Sequence, residues 1–235
     1  MKILLIDTCG ETGTIALADT SLQPEIVATA TLPGRTASER LLPTVRDLAA
    51  VDAIPLQSLD AVVVVHGPGS FTGVRVGLSA AKGLCEALNL PLIAISRLAV
   101  LAHLAELPPI THVHAILDAG RGEFYHGEYL DGICLREAML TQEELLAAIG
   151  LEQAPAVVAC EPAVAESLAE VSPRLIAQPG AESALPLALR RIHDRDFDDT
   201  ATIDANYLRR TDAEIFAKPR PKASAASPLA GTPVQ

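Results

Sequence analysis

The sequence predicts an α/β protein of two lobes built to one plan, and three observations carry that reading. Short, continuous apolar runs, typical of strands buried on both faces, alternate with segments of helical periodicity. The order strand, strand, strand, helix, strand, helix, strand, helix occurs twice. In each half an aspartate, Asp7 or Asp118, stands between a buried strand and a glycine-containing hairpin turn.

The elements follow in order. Ile3–Ile6 is the first buried strand, Gly10-Glu11-Thr12-Gly13 a turn, Thr14–Ala18 the returning strand and Glu25–Thr31 a third. Thr36-x-x-Glu39 is a capping box, with Leu41, Leu42, Val45, Leu48 and Ala49 at helical spacing behind it and Pro43 in the first turn or at a kink. Ala61–Val65 is a buried strand, and Gly67-Pro68-Gly69-Ser70-Phe71-Thr72 leads into a helix ending near Asn89. Leu92–Ile95 is a strand, followed by a helix to about Leu104; Pro108-Pro109 marks the boundary between lobes.

The second half begins with Val113–Leu117, ending in Asp118; Ala119–Gly122 turns, Glu123–Leu130 returns and Ile133–Ala138 follows. Thr141-x-x-Glu144 is a second capping box, with Gly150 as the stop signal of its helix. Ala156–Cys160 is a strand, Ala163–Val171 a helix, Leu175–Ala177 a short strand, Ala184–Ile192 an amphipathic helix and Asp204–Ile215 a last helical piece. The expected domains are 1–107 and 108–195, a C-terminal helix within 196–216 that packs back on the lobes, and a disordered tail at 217–235, rich in proline and small residues. This doubled order is that of actin-like, Hsp70-like and sugar-kinase-like proteins.

Composition narrows the function. With 18 basic and 29 acidic side chains the net charge is −11, and Phe and Tyr make up 3% of the chain, with no Trp. Neither a broad basic face nor an aromatic base-stacking surface is expected, so any RNA would be gripped by something else. No apolar run reaches the length of a membrane span, and Met1–Asp7 reads as a strand and not a signal peptide. Cys9, Cys85, Cys134 and Cys160 are scattered without a CxxC, which fits a reduced cytoplasm.

Three places carry candidate chemistry. The turn after Asp7, with Thr8 and Gly10, offers backbone N–H groups where actin-like proteins hold nucleotide phosphates; the plain reading is a hairpin turn capped by its aspartate. Gly67 and Gly69 belong to a strand-to-helix loop where phosphate loops sit, yet the loop is neither a Walker loop nor GxGxxG nor GxSxG, and its plain reading is a tight loop with a Ser/Thr cap. A serine hydrolase using Ser70 with His66 is a minor alternative. The helix beyond is glycine-rich: Gly73, Gly77, Ala80 and Leu84 share a stripe with Ala81 beside it, and helical glycine costs about 1 kcal/mol against alanine. Close approach of another backbone, inside the chain or on a second subunit, is the compensating reason. His112 and His114 share a strand face without any His-x3-His pair, so no metal site is expected, and Arg121 with Glu123 stands out in the second hairpin.

Several segments together resemble the TsaB family, also called YeaZ. They are Ile6-Asp7-Thr8, His66 to Gly77 with its Gly-Pro-Gly-Ser-Phe-Thr-Gly core, Leu90 to Ser96, Leu117 to Tyr125 and Tyr207-Leu208-Arg209, over about residues 1–215. Cys9 stands where the family usually has Ser, and Ala37 where it often has His. The resemblance implies a two-lobed actin-like fold and a non-catalytic subunit of the complex that transfers threonylcarbamoyl to adenosine 37 of tRNAs reading ANN codons. The implied partners are TsaD, which carries the chemistry, and TsaE, with a homodimer when TsaD is absent and tRNA met only through the complex. The resemblance places a dimerisation surface on N-terminal helices. By position, Leu41, Leu42, Val45, Gly73, Arg75, Gly77, Ala80, Ala81 and Leu84, with Arg121 of the second lobe, are the candidates. No cofactor belongs to the chain alone; ATP or ADP at the interface of the complex is the one candidate. A stand-alone actin-like ATPase or kinase is the alternative.

Overall fold

A computed structural model describes residues 1–33, 36–51, 54–105, 112–150 and 155–208. They form two five-stranded sheets. The first contains β1 (Lys2–Asp7), β2 (Thr12–Asp19), β3 (Ile26–Pro33), β4 (Ala61–Val65) and β5 (Leu92–Ile95), in the order β3-β2-β1-β4-β5. The runs ILLI, AVVVV and LIAI lie in the three neighbouring strands β1, β4 and β5, which pair in parallel, while β2 and β3 add antiparallel strands to the same sheet. Apolar side chains on both faces of these strands need cover on both sides.

One face receives α1 (Ala37–Val51) and α2 (Phe71–Leu88). Leu41, Val45 and Ala49 of α1 and Val74, Leu78, Ala81 and Cys85 of α2 fill that layer at helical spacing. Pro43 lies inside α1. Ser70 caps α2 by accepting the Gly73 N–H, and Asn89 ends it in the left-handed conformation.

The second sheet repeats the plan with β6 (His112–Gly120), β7 (Glu123–Leu130), β8 (Ile133–Thr141), β9 (Ala156–Ala159) and β10 (Arg174–Leu175), ordered β10-β9-β6-β7-β8. The capping box at its first helix forms: the Thr141 N–H donates to Glu144 Oε2 at 2.9 Å and the Glu144 N–H to Thr141 Oγ1 at 3.3 Å. That helix, α4 (Gln142–Gly150), includes Gly150 where a stop was expected. The segment expected as one helix over 163–171 is α5 (Pro162–Ser167) and a separate 3-10 turn at Ala169–Val171, broken at Leu168.

The last helix of each half crosses to the other lobe. In α3 (Arg97–Leu104), Leu98 and Leu101 pack with Val113, Ala115, Leu117 and Tyr129 of the second sheet. Conversely, Ala181, Ala184, Leu185 and Ala188, from a 3-10 turn and α6 (Leu185–His193), join the core of the first sheet. The lobes are thereby tied by two exchanged helices.

The chain beyond α6 corrects one expectation. Residues 204–208 are not helical, and the rest of the expected 204–215 helix lies outside the described residues, as do Pro108-Pro109 and the tail. The Asp198 N–H pairs with the Leu92 carbonyl at 2.9 Å. The segment then runs antiparallel along α2: Thr200 meets Glu86, the Ile203 carbonyl accepts from Lys82 Nζ at 3.0 Å, and Tyr207 reaches Phe71. The Asn206 N–H donates to the His66 carbonyl at 2.8 Å. The Asn206 N–H thereby serves another part of the fold and not the carbonyl four residues back that a helix would use.

Candidate functional site

A concavity of about 1470 Å³ lies between the lobes. The turn after β1 walls it on one side, and Asp118, Gly120, Glu161 and Gln178 on the other. Asp7 is 5% exposed, and its Oδ1 accepts the Cys9 N–H at 2.8 Å. Burial raises its pKa, and the Arg97 guanidinium nearby pulls the other way. Arg97, the first residue of α3, is 6% exposed; its N–H donates to the Gly67 carbonyl at 2.7 Å and Nη2 to Gln178 Oε1 at 3.2 Å. One buried cation thus links Asp7 of the first lobe electrostatically to Gln178 of the second.

Of the residues expected to cradle a nucleotide, Asp7, Thr8, Gly10 and Gly69 line this cleft. Gly67 instead lies against Val74 and the Asn206 carbonyl. Three polar groups at the start of the turn bond within the chain. Thr8 Oγ1 donates to the Gly73 carbonyl at 2.6 Å, Cys9 Sγ to the Val65 carbonyl at 3.1 Å, and the Ser70 N–H to the Cys9 carbonyl at 2.8 Å. Burial also pushes the Cys9 thiol well above its usual range, which disfavours the thiolate. The Ser70 hydroxyl accepts the Gly73 N–H, while His66 Nδ1 lies 3.2 Å from the Asp204 carbonyl. Among the described residues no group of three His, Cys, Asp or Glu is placed to hold a metal ion.

The glycine stripe divides between two surroundings. A Cβ on Gly73 would lie 2.0 Å from the Thr8 carbonyl oxygen, and one on Gly77 2.3 Å from Thr8 Oγ1. These glycines let α2 dock on the β1 turn, so the close approach they allow is one made inside the chain. Leu41, Val45 and Ala81 likewise fill the chain's own core, and Ala80 and Leu84 pack partly against it. Arg121 sits at the tip of the β6–β7 hairpin on the second lobe, with φ +61°. Among the residues that α1 and α2 turn outward are Leu42, 52% exposed, and Phe71, Arg75, Ser79 and Gly83. The last four recur every fourth residue along one stripe of α2. A Cβ on Gly83 would meet nothing within 4 Å. Of the three glycines of α2 it is the one with no close contact inside the chain, and a count of small residues along the sequence could not separate it from its docked neighbours.

A second outward feature joins distant parts of the sequence. The Arg75 guanidinium lies 3.4 Å from the Phe71 ring centroid and 5.1 Å from that of Tyr207, and the two rings are 6.1 Å apart. Sequence reasoning singled out Arg75 but neither ring, because only the strap along α2 brings Tyr207 there.

Comparison with known proteins places this geometry. Residues 25–146, just over half of the chain, match the family model described as TsaD: tRNA N6-adenosine threonylcarbamoyltransferase. The chain is 38% identical over 130 residues to the tRNA threonylcarbamoyladenosine biosynthesis protein TsaB of Escherichia coli, a match covering 55% of each chain. The chain thus spans about half the length of that curated relative. An uncharacterized protein of Mycobacterium bovis is 32% identical over 190 residues, covering 80% of this chain and 82% of that one. The solved structure of YeaZ from Pseudomonas aeruginosa superposes with a TM-score of 0.72 at 29% identity, covering 88% of this chain and 99% of the other. The two five-stranded lobes, the glycine-docked α2 and these matches give one result: the chain belongs to the TsaB (YeaZ) family.

Proposed function

We propose that this chain is the accessory, non-catalytic subunit in the synthesis of N6-threonylcarbamoyladenosine in tRNA, pairing with a TsaD-type transferase through the outer face of α1 and α2. The observation that carries the reading is Gly83, an exposed glycine in the middle of an 18-residue helix with open space where its Cβ would be. An exposed helical glycine costs about 1 kcal/mol against alanine, and close approach of a partner helix is a physical return for that cost. Leu42 and Arg75 of the expected surface stay in it; Leu41, Val45, Gly73, Gly77 and Ala81 support it from beneath. In the same reading TsaE joins the complex, the chain pairs with itself when TsaD is absent, tRNA is met through the complex and the setting is the cytoplasm.

The chemistry of the cleft supports an accessory role. Asp7 already serves Cys9 and Arg97, Ser70 serves as a helix cap, and Cys9 is a buried thiol. The test is size exclusion with light scattering on this chain mixed with TsaD from the same source. A heterodimer is expected, lost in Gly83→Arg while the variant's thermal unfolding stays cooperative. Separate elution of the wild-type proteins, with ATP turnover by the isolated chain, would instead assign it as a stand-alone ATPase. No helix among the described residues is long and apolar enough to cross a membrane.

A further inference from the structure

The geometry points to Tyr207, Arg75 and Phe71 as the anchor that the partner subunit grips, with Asn206 and Glu137 as the positioning residues that hold it together. This inference rests on the α1–α2 reading above and extends it to a segment more than a hundred residues away in sequence.

Seven Phe and Tyr residues and no Trp occur in the whole chain. Two of the seven meet here on the surface, Phe71 at 62% exposure and Tyr207 at 44%, with a guanidinium against them. Aromatic rings and arginine are the side chains enriched at the energetic centre of protein interfaces. The cluster is continuous with the proposed face, because Phe71 and Arg75 begin the stripe that continues to Ser79 and Gly83. Its stacked guanidinium keeps donors for a partner carboxylate. A protein occupant also fits the charge better than RNA does, since a chain of net charge −11 repels a phosphate backbone.

Tyr207 is placed by its neighbour. Asn206 Nδ2 donates to Glu137 Oε2 at 2.5 Å. The other oxygen of Glu137 accepts from Ser96 Oγ at 2.5 Å and from the Tyr129 hydroxyl. Ser96 caps α3, Tyr129 lies in β7 and Asn206 belongs to the strap. One carboxylate of the second lobe therefore fixes the strap residue beside Tyr207. The hydrogen bond from the Asn206 N–H to His66 fixes it from the first lobe. Loss of the Asn206 amide would free Tyr207 from Arg75 while leaving the Ser96 and Tyr129 bonds to Glu137 in place.

The experiment combines calorimetric titration with TsaD and hydrogen exchange on the isolated chain. Tyr207→Ala and Phe71→Ala should each weaken TsaD binding at least tenfold with unchanged unfolding cooperativity. Asn206→Asp sets two carboxylates against each other. It should raise exchange at 203–207 in the isolated chain and weaken TsaD binding at neutral pH, with protection returning, after correction for intrinsic rates, as acid neutralises the pair. Normal TsaD affinity in Tyr207→Ala, with binding still abolished by Gly83→Arg, would overturn the anchor and leave the α1–α2 reading standing. No TsaD binding by the wild type would overturn both. Unchanged exchange at 203–207 in Asn206→Asp would remove the positioning role. Variants that bind TsaD normally but lose affinity for single-stranded RNA would assign the cluster to RNA and overturn the proposal.

Discussion

The two turns that follow β1 and β6 are built alike and work differently. In both, the aspartate accepts the N–H two residues on: Asp7 from Cys9 and Asp118 from Gly120, each at 2.8 Å. In the first lobe Asp7, Thr8 and Cys9 are buried, because Gly69, Gly73 and Gly77 let α2 and its leading loop settle onto Thr8 and Cys9. In the second lobe Asp118 is exposed, and a side chain stands in for that backbone packing: the Asp118 N–H donates to Glu161 Oε2 at 2.7 Å, just before the six-residue α5. The same topology therefore carries an 18-residue helix locked by close backbone contact on one side and a short helix tethered by one carboxylate on the other. The locked side is the one that presents the exposed stripe of α2. A rigid platform needs such locking, and the tethered side has no comparable face to hold still.

The largest expected effect breaks the locked turn. Gly73→Ala places a methyl 2.0 Å from the Thr8 carbonyl, a backbone atom that can move only with the turn. A cost above about 3 kcal/mol is expected, or a Tm fall of roughly 6–12 °C for a chain of this size. Chemical and thermal unfolding measure it. A loss below 1 kcal/mol would mean that α2 and the turn are loosely joined, and the contrast between the lobes would vanish.

Next comes the cation beneath the same turn. Arg97→Met removes the largest influence holding the Asp7 pKa down and leaves burial to raise it further. The sign follows from linkage. A carboxylate with a folded pKa above its unfolded value favours folding below the unfolded pKa, and that contribution is lost as pH rises through the folded pKa. The variant should therefore be least destabilised near pH 4 and most destabilised near pH 7.5, where a buried carboxylate left without its nearby cation costs about 3 kcal/mol. Urea unfolding across that range is the measurement, and a pH-independent loss would show that Arg97 acts by packing alone. In the second lobe the corresponding break is milder. Glu161→Ala removes the acceptor of the Asp118 N–H, but water can replace it at an exposed turn, so about 1 kcal/mol is expected.

Much of this contrast is legible in the sequence, and the rest is absent from it for definite reasons. The doubled order of elements, the placement of Asp7 and Asp118 and the second capping box all rest on local periodicity and spacing, which the fold preserves. The stripe on α2 was legible as a feature but not in its direction. Gly73 and Gly77 differ from Gly83 only in what lies opposite them, and Thr8 is more than sixty residues away. The helical pattern of 204–215 failed at 204–208 because long-range hydrogen bonds to His66 and Glu137 outweigh local propensity there. The exchange of α3 and α6 between lobes is likewise a matter of packing, since an amphipathic helix does not state which sheet it will cover.

The smallest effect is the sharpest test of that difference between glycines. Gly83→Ala adds a methyl where nothing stands within 4 Å, in a helix whose end is well capped. It should stabilise the isolated chain by up to about 1 kcal/mol, the opposite sign to Gly73→Ala in the same helix. If a partner helix approaches Gly83 closely, the same methyl should weaken the complex while strengthening the subunit. Unfolding of the isolated variant and its titration against TsaD are therefore read together. Stabilisation with weaker binding identifies Gly83 as a glycine kept for contact. Stabilisation with unchanged binding places the partner elsewhere on α2, and destabilisation would mean that the outer stripe is packed within the chain after all.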